Sequence, residues 1–357
     1  MPASSMLRQA LRAADVPPFH AMAMARRAGE VEARGQRVFH LEVGQPATGA
    51  PAAARAAVVA AMERADPLGY TNAPGSMALR RRICRHYAEA YGVEVATDDV
   101  IVVAGASAGF TLAFLAAFDA GDRVGVLEPG YPCYRNALLA LGVEPVAIPV
   151  GPDTRWAPTP ELLAAAGELD GLVIASPSNP TGTVLSAERM AAVVQWCATN
   201  NVQLIADEIY HGITYAGPAT TVLAATRDAV LVNSFSKYFS MTGWRLGWMV
   251  LPQHLRDAVE RLQQNIYICA PHRLPASPPS MPRPSSMAMC SATPATASCS
   301  PPVLPPPASL RWRPPTERST STPTSPSWPP RLATRWRCAT SGSTSWALRR
   351  RPGSTSI

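Results

Sequence analysis

Lysine is all but missing from this chain: of 32 basic residues, one is a Lys, at position 237, and the rest are Arg. The seven Cys (Cys84, Cys133, Cys197, Cys269, Cys290, Cys299, Cys338) are scattered and form no C-x-x-C pair. That spacing argues against a zinc site and against a disulfide framework, and makes a reducing cytoplasm the expected compartment. No apolar run reaches the length of a membrane span, and the N-terminus lacks a basic stretch followed by an apolar core. Neither a transmembrane helix nor a secretory signal is expected.

Acidic residues are nearly absent from one part of the chain. Residues 272–357 hold eleven Arg, a single acid (Glu317) and eighteen of the 37 Pro, with no Lys, Asp, Asn, Phe or Tyr. That segment carries +10, which leaves the other 271 residues at −3 under a total of +7. The sequence pI of 9.2 therefore indicates no nucleic-acid partner, which would require a basic face on a folded domain.

What is present between Asp99 and Leu251 is an alternation. Short β-branched runs (Val100 to Val103, Arg123 to Leu127, Leu172 to Ala175, Gln203 to Ala206, Ala229 to Val232, Leu246 to Leu251) alternate with stretches of helical spacing such as Ala187 to Asn200. This predicts an α/β fold with a mostly parallel sheet. Helices are expected at Ala52 to Ala65 and Met77 to Tyr91, separated by the turn-rich run from Asp66 to Gly75. In such sheets ligands sit beyond the carboxyl ends of the strands, so the residues just after each run are the ones to inspect.

Lys237 lies directly after one of these runs, within Asn233-Ser234-Phe235-Ser236-Lys237-Tyr238. A lysine amine can capture an aldehyde as a Schiff base and carry a proton, provided desolvation or a neighbouring cation lowers its pKa. Taken alone, it would be a solvated surface lysine. Asp207 closes the run Leu204-Ile205-Ala206 with Tyr210 three residues on; alone, it would be a helix N-cap. Asn179 sits in Ser178-Asn179-Pro180-Thr181-Gly182, which is also an ordinary turn. In Gly105-Ala106-Ser107-Ala108-Gly109 small residues at a strand-to-helix turn would let backbone N–H groups approach an anion, with Ala106 and Ser107 as candidates.

The pattern as a whole is more specific than its parts. Ser-x-Ser-Lys followed eight residues after the lysine by Arg, in Gly243-Trp244-Arg245-Leu246-Gly247, resembles the cofactor-attachment motif of the class I and II aminotransferases. The likeness runs from about Val16 to Pro271. It implies a fold-type-I large domain, with a mostly parallel seven-stranded sheet between helices, and pyridoxal 5'-phosphate held on Lys237. It further implies that Ser234 and Arg245 grip the phosphate, that Asp207 pairs with the pyridine nitrogen, and that Tyr210 and Asn179 meet the phenolic oxygen. Tyr131 would stack on the ring, with Tyr134 the competing choice. Tyr70 would reach the phosphate of a neighbouring subunit in a homodimer, and Gly44, with Asn179, would adjoin the substrate.

The expected organisation is an N-terminal arm over residues 1–45, a cofactor-binding domain over 46–271 and a low-complexity tail over 272–357, with the small C-terminal domain absent or disordered. The arginine that clamps the substrate carboxylate in relatives belongs to that C-terminal part, and no Arg of the tail stands in a matching context. The abrupt change in composition suggests a shift of reading frame near codon 271; resequencing the locus tests this, and an intact frame would contradict it. The activity implied is transfer of an amino group between an L-amino acid and a 2-oxo acid, with no membrane or nucleic-acid partner. The alternatives are a β-lyase or decarboxylase on the same fold, or an inactive cofactor-binding remnant.

Overall fold

The computed structural model describes residues 10–271 apart from position 216; the domain boundary, disorder and frame expectations for 272–357 lie outside the described residues. A seven-stranded sheet forms the centre: β1 (Val100–Val103), β2 (Arg123–Glu128), β3 (Glu144–Pro149), β4 (Gly171–Ala175), β5 (Gln203–Asp207), β6 (Val230–Ser234) and β7 (Gly247–Val250), in the order β1-β7-β6-β5-β4-β2-β3. β7 runs antiparallel to both of its neighbours, and the other pairings are parallel. The fold-type-I architecture expected from the motifs is thus present.

The central strands read as continuous apolar runs because helices cover both faces. β1, β6 and β7 are buried at every position. One face is packed by α4 (Met77–Tyr91) and α8 (Ala187–Thr199) through Ile83, Tyr87, Met190 and Val193. The other is packed by α5 (Ala106–Ala117), α6 (Pro132–Leu141) and α9 (Arg256–Ile266) through Phe110, Phe114, Leu138 and Val259. Gly109 of α5 lets the helix sink onto the sheet, since a Cβ there would stand 3.1 Å from Val232 Cγ1. β3, absent from the sequence expectation, carries Pro145 and Pro149. Its place at the edge of the sheet explains how it tolerates them.

Local signals set the ends of the helices. Ser76 caps α4 by accepting from the Leu79 N–H, and Gly92 closes it at φ 68°; a cap of this kind contributes about 1 kcal/mol. Gln263, fully buried on α9, donates to the carbonyls of Ala73 and Val102 at 3.0 and 2.7 Å and so ties the lead-in segment to the sheet. The parallel register sets Ala175 beside Asp207 and Asp207 beside Val232, which brings the carboxyl ends of β4, β5 and β6 to one edge.

Candidate active site

Beyond that edge lies a cavity of about 1030 Å³ whose wall includes Gly44, Tyr131, Asn179, Asp207, Tyr210 and Lys237. Ala106 and Ser107 also reach it. The ends of β4, β5 and β6 deliver Asn179, Asp207, Tyr210 and Lys237 to this place, and the start of α5 delivers Ala106 and Ser107.

Lys237 follows β6 in a loop that closes on itself: Phe235 N–H donates to the Leu246 carbonyl at 3.1 Å, and Met241 N–H to the Phe235 carbonyl at 3.1 Å. Buried Phe235 and Met241 hold this loop down and leave Lys237 half-buried at the cavity wall. Its ammonium donates to the Gly44 carbonyl at 2.7 Å. Partial burial, and then the charge of Arg245, hold the Lys237 pKa below its ordinary value, while Asp207 opposes them. The shift is in the direction a nucleophilic amine needs, because it makes the ammonium easier to deprotonate.

Asp207 is 4% exposed. Its carboxylate accepts from the Tyr134 hydroxyl and, at 2.9 Å, from the Ile209 N–H. Burial pushes its pKa up to about 6, against the opposing effects of Tyr134, the Ile209 N–H and Lys237. No Lys, Arg or His among the described residues makes an ion pair with it. A buried carboxylate facing a cavity without a cation is stabilised by a positively charged ligand group.

Tyr210 enters from the same turn, and Asn179 lines the same cavity. Burial, followed by the charge of Asp207, raises the Tyr210 pKa, and Asn179 lowers it. The Asn179 turn is locked by Gly182 N–H donating to the Ser178 carbonyl at 2.8 Å and Ser178 N–H to the Thr183 carbonyl at 2.9 Å.

The other end of the cavity is built for an anion. α5 begins at Ala106 with Gly105 as its N-cap at φ 83°, so the unpaired N–H groups of a twelve-residue helix open here. The Arg245 guanidinium lies against Gly105, where a Cβ would stand 2.5 Å from its Nη2. Arg245 itself adopts φ 51°, a left-handed conformation unusual for a non-glycine residue, and its Nη1 donates to the Thr242 carbonyl at 3.0 Å. Gly247 backs onto the same helix start, a Cβ there standing 3.1 Å from the Ala106 nitrogen.

Not every expected residue faces the cavity. The buried Ser234 hydroxyl donates to the Leu246 carbonyl at 3.0 Å, accepts from the Ser236 N–H at 3.0 Å and lies 2.8 Å from the Ser236 hydroxyl. These bonds staple the β6–β7 connection. Ser234, Arg245 and Tyr70 are not part of the cavity wall, and Tyr70 is 81% exposed. Tyr131 lines the cavity with its ring edge-on to Tyr134, centroids 5.3 Å apart.

Two residues have roles that the sequence does not signal. Tyr134 is expected there only as the competing stacking ring, whereas its hydroxyl holds Asp207. Phe19, which packs edge-on to Tyr131 at 6.0 Å, carried no signal beyond following Pro17 and Pro18. Taken together, the wall presents an amine, a carboxylate lacking a cation, a phenol and amide pair, and an anion-binding helix end. That set fits a flat ligand with a protonated ring nitrogen, an electrophilic carbon and an anionic group. The described residues contain no cluster of His, Cys, Asp and Glu suited to a metal ion.

Comparison with known proteins bears on what that ligand is. The family model for aminotransferase class I and II matches residues 36–277. The valine–pyruvate aminotransferase of Mycobacterium tuberculosis is 50% identical over 267 residues, spanning 74% of this chain and 68% of that protein. An aspartate aminotransferase of Geobacillus stearothermophilus is 30% identical over 263 residues, 72% of this chain and 67% of the relative. A crystal structure of an aminotransferase from Mycobacterium tuberculosis superposes with a TM-score of 0.72 at 49% identity, covering 75% of this chain and 69% of the other.

Proposed function

The chain belongs to the class I and II aminotransferases, a pyridoxal-phosphate-dependent family, and on that premise we propose that Lys237 holds the cofactor and moves the proton at the substrate Cα. The observation that carries the proposal is the meeting of Lys237 and cation-free Asp207 in one cavity. When bound, pyridoxal phosphate supplies a sink for the electron pair released at that carbon. Asp207 would hold a proton on the ring nitrogen, and this buried carboxylate would there meet a positive charge. Tyr134 holds Asp207 in place through its hydroxyl.

Tyr210 and Asn179 hold the phenolic oxygen, and Tyr131 covers one face of the ring. The first N–H groups of α5, at Ala106 and Ser107, receive the phosphate with Arg245, whose fork suits bidentate binding. Ser234 contributes by fixing the backbone of the lysine loop. Gly44 and Asn179 adjoin the substrate. The Gly44 carbonyl accepts from the Lys237 Nζ at 2.7 Å and so fixes where the amine stands.

Two finer readings extend the proposal. Exposed Tyr70 suits a contact with the phosphate of a second subunit, which makes the protein a homodimer with shared sites. No described helix is long and apolar enough to cross a membrane, and the described cysteines Cys84, Cys133, Cys197 and Cys269 are free; we place the protein in the cytoplasm. Sedimentation at several concentrations tests the first and cell fractionation the second.

The donor and acceptor to assay first are L-valine and pyruvate, by analogy with the relative of that name. Purified full-length protein with the cofactor is expected to form L-alanine and the 2-oxo acid of valine. Appearance of an amine with carbon dioxide, or of ammonia with pyruvate from a β-substituted donor, would instead identify a decarboxylase or β-lyase. No product from any donor would favour a binding remnant.

A further inference from the structure

The turn after β5 has a second face, buried on the opposite side of the sheet from the cavity. Strand side chains alternate, so Asp207 projects toward Tyr134 while the next residue, Glu208, projects the other way. Glu208 is 1% exposed and has no Lys or Arg partner among the described residues. Its carboxyl accepts from the Val222 N–H at 2.7 Å and from the Thr221 hydroxyl at 3.0 Å. His211, 6% exposed, brings its Nδ1 to 3.4 Å from Glu208 Oε2 and to 2.8 Å from the hydroxyl of Tyr91 on α4. Burial drives Glu208 up and His211 down, so both favour their uncharged forms.

Polar groups sealed in a core cost stability unless they are partnered, and partnered groups fix one geometry; the Glu208 carboxyl and His211 Nδ1 are partnered, while His211 Nε2 has no partner among the described residues. Here the residues so fixed are those flanking the proposed cofactor contacts. Asp207 and Tyr210 face the cavity; Glu208 and His211, interleaved with them, face the anchor. Gly212 ends the turn at φ 87°, with the Tyr238 ring so close that a Cβ would stand 2.5 Å from it, and Tyr238 adjoins Lys237. One short turn thus touches both the ring partners and the lysine loop.

We propose that Glu208, with His211 and Tyr91, is a buried positioning anchor: by accepting from Thr221 and Val222 it sets the 207–212 turn and, through it, Asp207, Tyr210 and the Lys237 loop. This rests on the cofactor reading above, since the positioned groups are its ring contacts.

The test compares full-length Glu208→Ala, Glu208→Gln and Tyr91→Phe with wild type. Three quantities are read: the visible absorbance band of bound pyridoxal phosphate, its dissociation constant, and hydrogen exchange of residues 203–213 and 234–241 without cofactor. For Glu208→Ala the dissociation constant is expected to rise about tenfold, the scale of a lost buried hydrogen-bond set, with a shifted band and faster exchange in both segments. Glu208→Gln keeps an acceptor for Val222 and is expected to restore all three. Tyr91→Phe, which removes one hydroxyl, gives a smaller change in the same direction and decides the matter if Glu208→Ala does not fold. Loss of thermal stability with the band, dissociation constant and exchange unchanged would overturn the proposal, as would Glu208→Gln behaving like Glu208→Ala. A wild-type protein without any band would instead sink the cofactor reading, and the exchange comparison would still decide the anchor.

Discussion

The two ends of the cavity are built on different terms. At the ring end the polar groups already hold one another: Tyr134 on Asp207 and Lys237 on the Gly44 carbonyl. At the anion end Arg245 and Ser107 stand exposed, and the helix N–H groups of α5 open toward the cavity. On the proposed reading, the chain's own core organises the chemistry and the exposed end supplies the grip on the phosphate. Variants at the ring end should therefore change turnover, and variants at the anion end should change affinity.

The largest effect is expected from Lys237→Ala, which removes the covalent anchor and the proton carrier together; amino-group transfer should fall by at least about a thousandfold. Turnover near wild type would break the ring-end account at its base. Asp207→Asn keeps the shape but not the charge, and saturated turnover should fall by about a hundredfold, within the range of a lost acid–base contribution. Arg245→Ala should weaken cofactor binding by about ten- to a hundredfold, as expected for a charge-assisted contact, with turnover at saturating cofactor little changed. The contrast fails if Arg245→Ala lowers saturated turnover as strongly as Asp207→Asn does.

The smallest effect concerns pH. The folded pKa of Asp207, about 6, lies above the ordinary carboxylate value, so the folded state binds this proton more tightly than the unfolded chain. Stability held by protonated Asp207 is present below the ordinary value and is lost as pH rises toward about 6. Thermal unfolding of the cofactor-free protein should show Tm falling across that window by a few degrees more than in Asp207→Asn. Saturation with cofactor should reduce the difference by giving the carboxylate a cation. Equal slopes in the two proteins would remove Asp207 as a destabilised group.

What could be read from the sequence followed from where the determinants lie. The central strands announce themselves because both of their faces are buried, and Met77–Tyr91 is bounded by its own cap residues. β3 stayed hidden because Pro145 and Pro149 break its signal and only an edge position accommodates them. Lys237, Asp207, Asn179 and Tyr210 stood out because each follows an apolar run in a motif. The Tyr134 bond to Asp207 could not be read, since the two are 73 residues apart in sequence and meet only through the packing of α6. Ser234 shows a further limit. The motif marks it as a phosphate ligand, yet in the fold its hydroxyl is taken up by the Leu246 carbonyl across the β6–β7 pair. The anchor behind Asp207 left no sequence signal at all, because it depends on three segments converging on the buried side of the sheet.

The central claim, that Lys237 carries the cofactor, is tested most directly by borohydride reduction of the protein with pyridoxal phosphate, followed by peptide mass mapping. A pyridoxyl group on the peptide containing Lys237, absent when an amino donor is added first, is the expected result. With Lys237 the sole lysine in the chain, a wild-type protein that reduces without acquiring that label would contradict it.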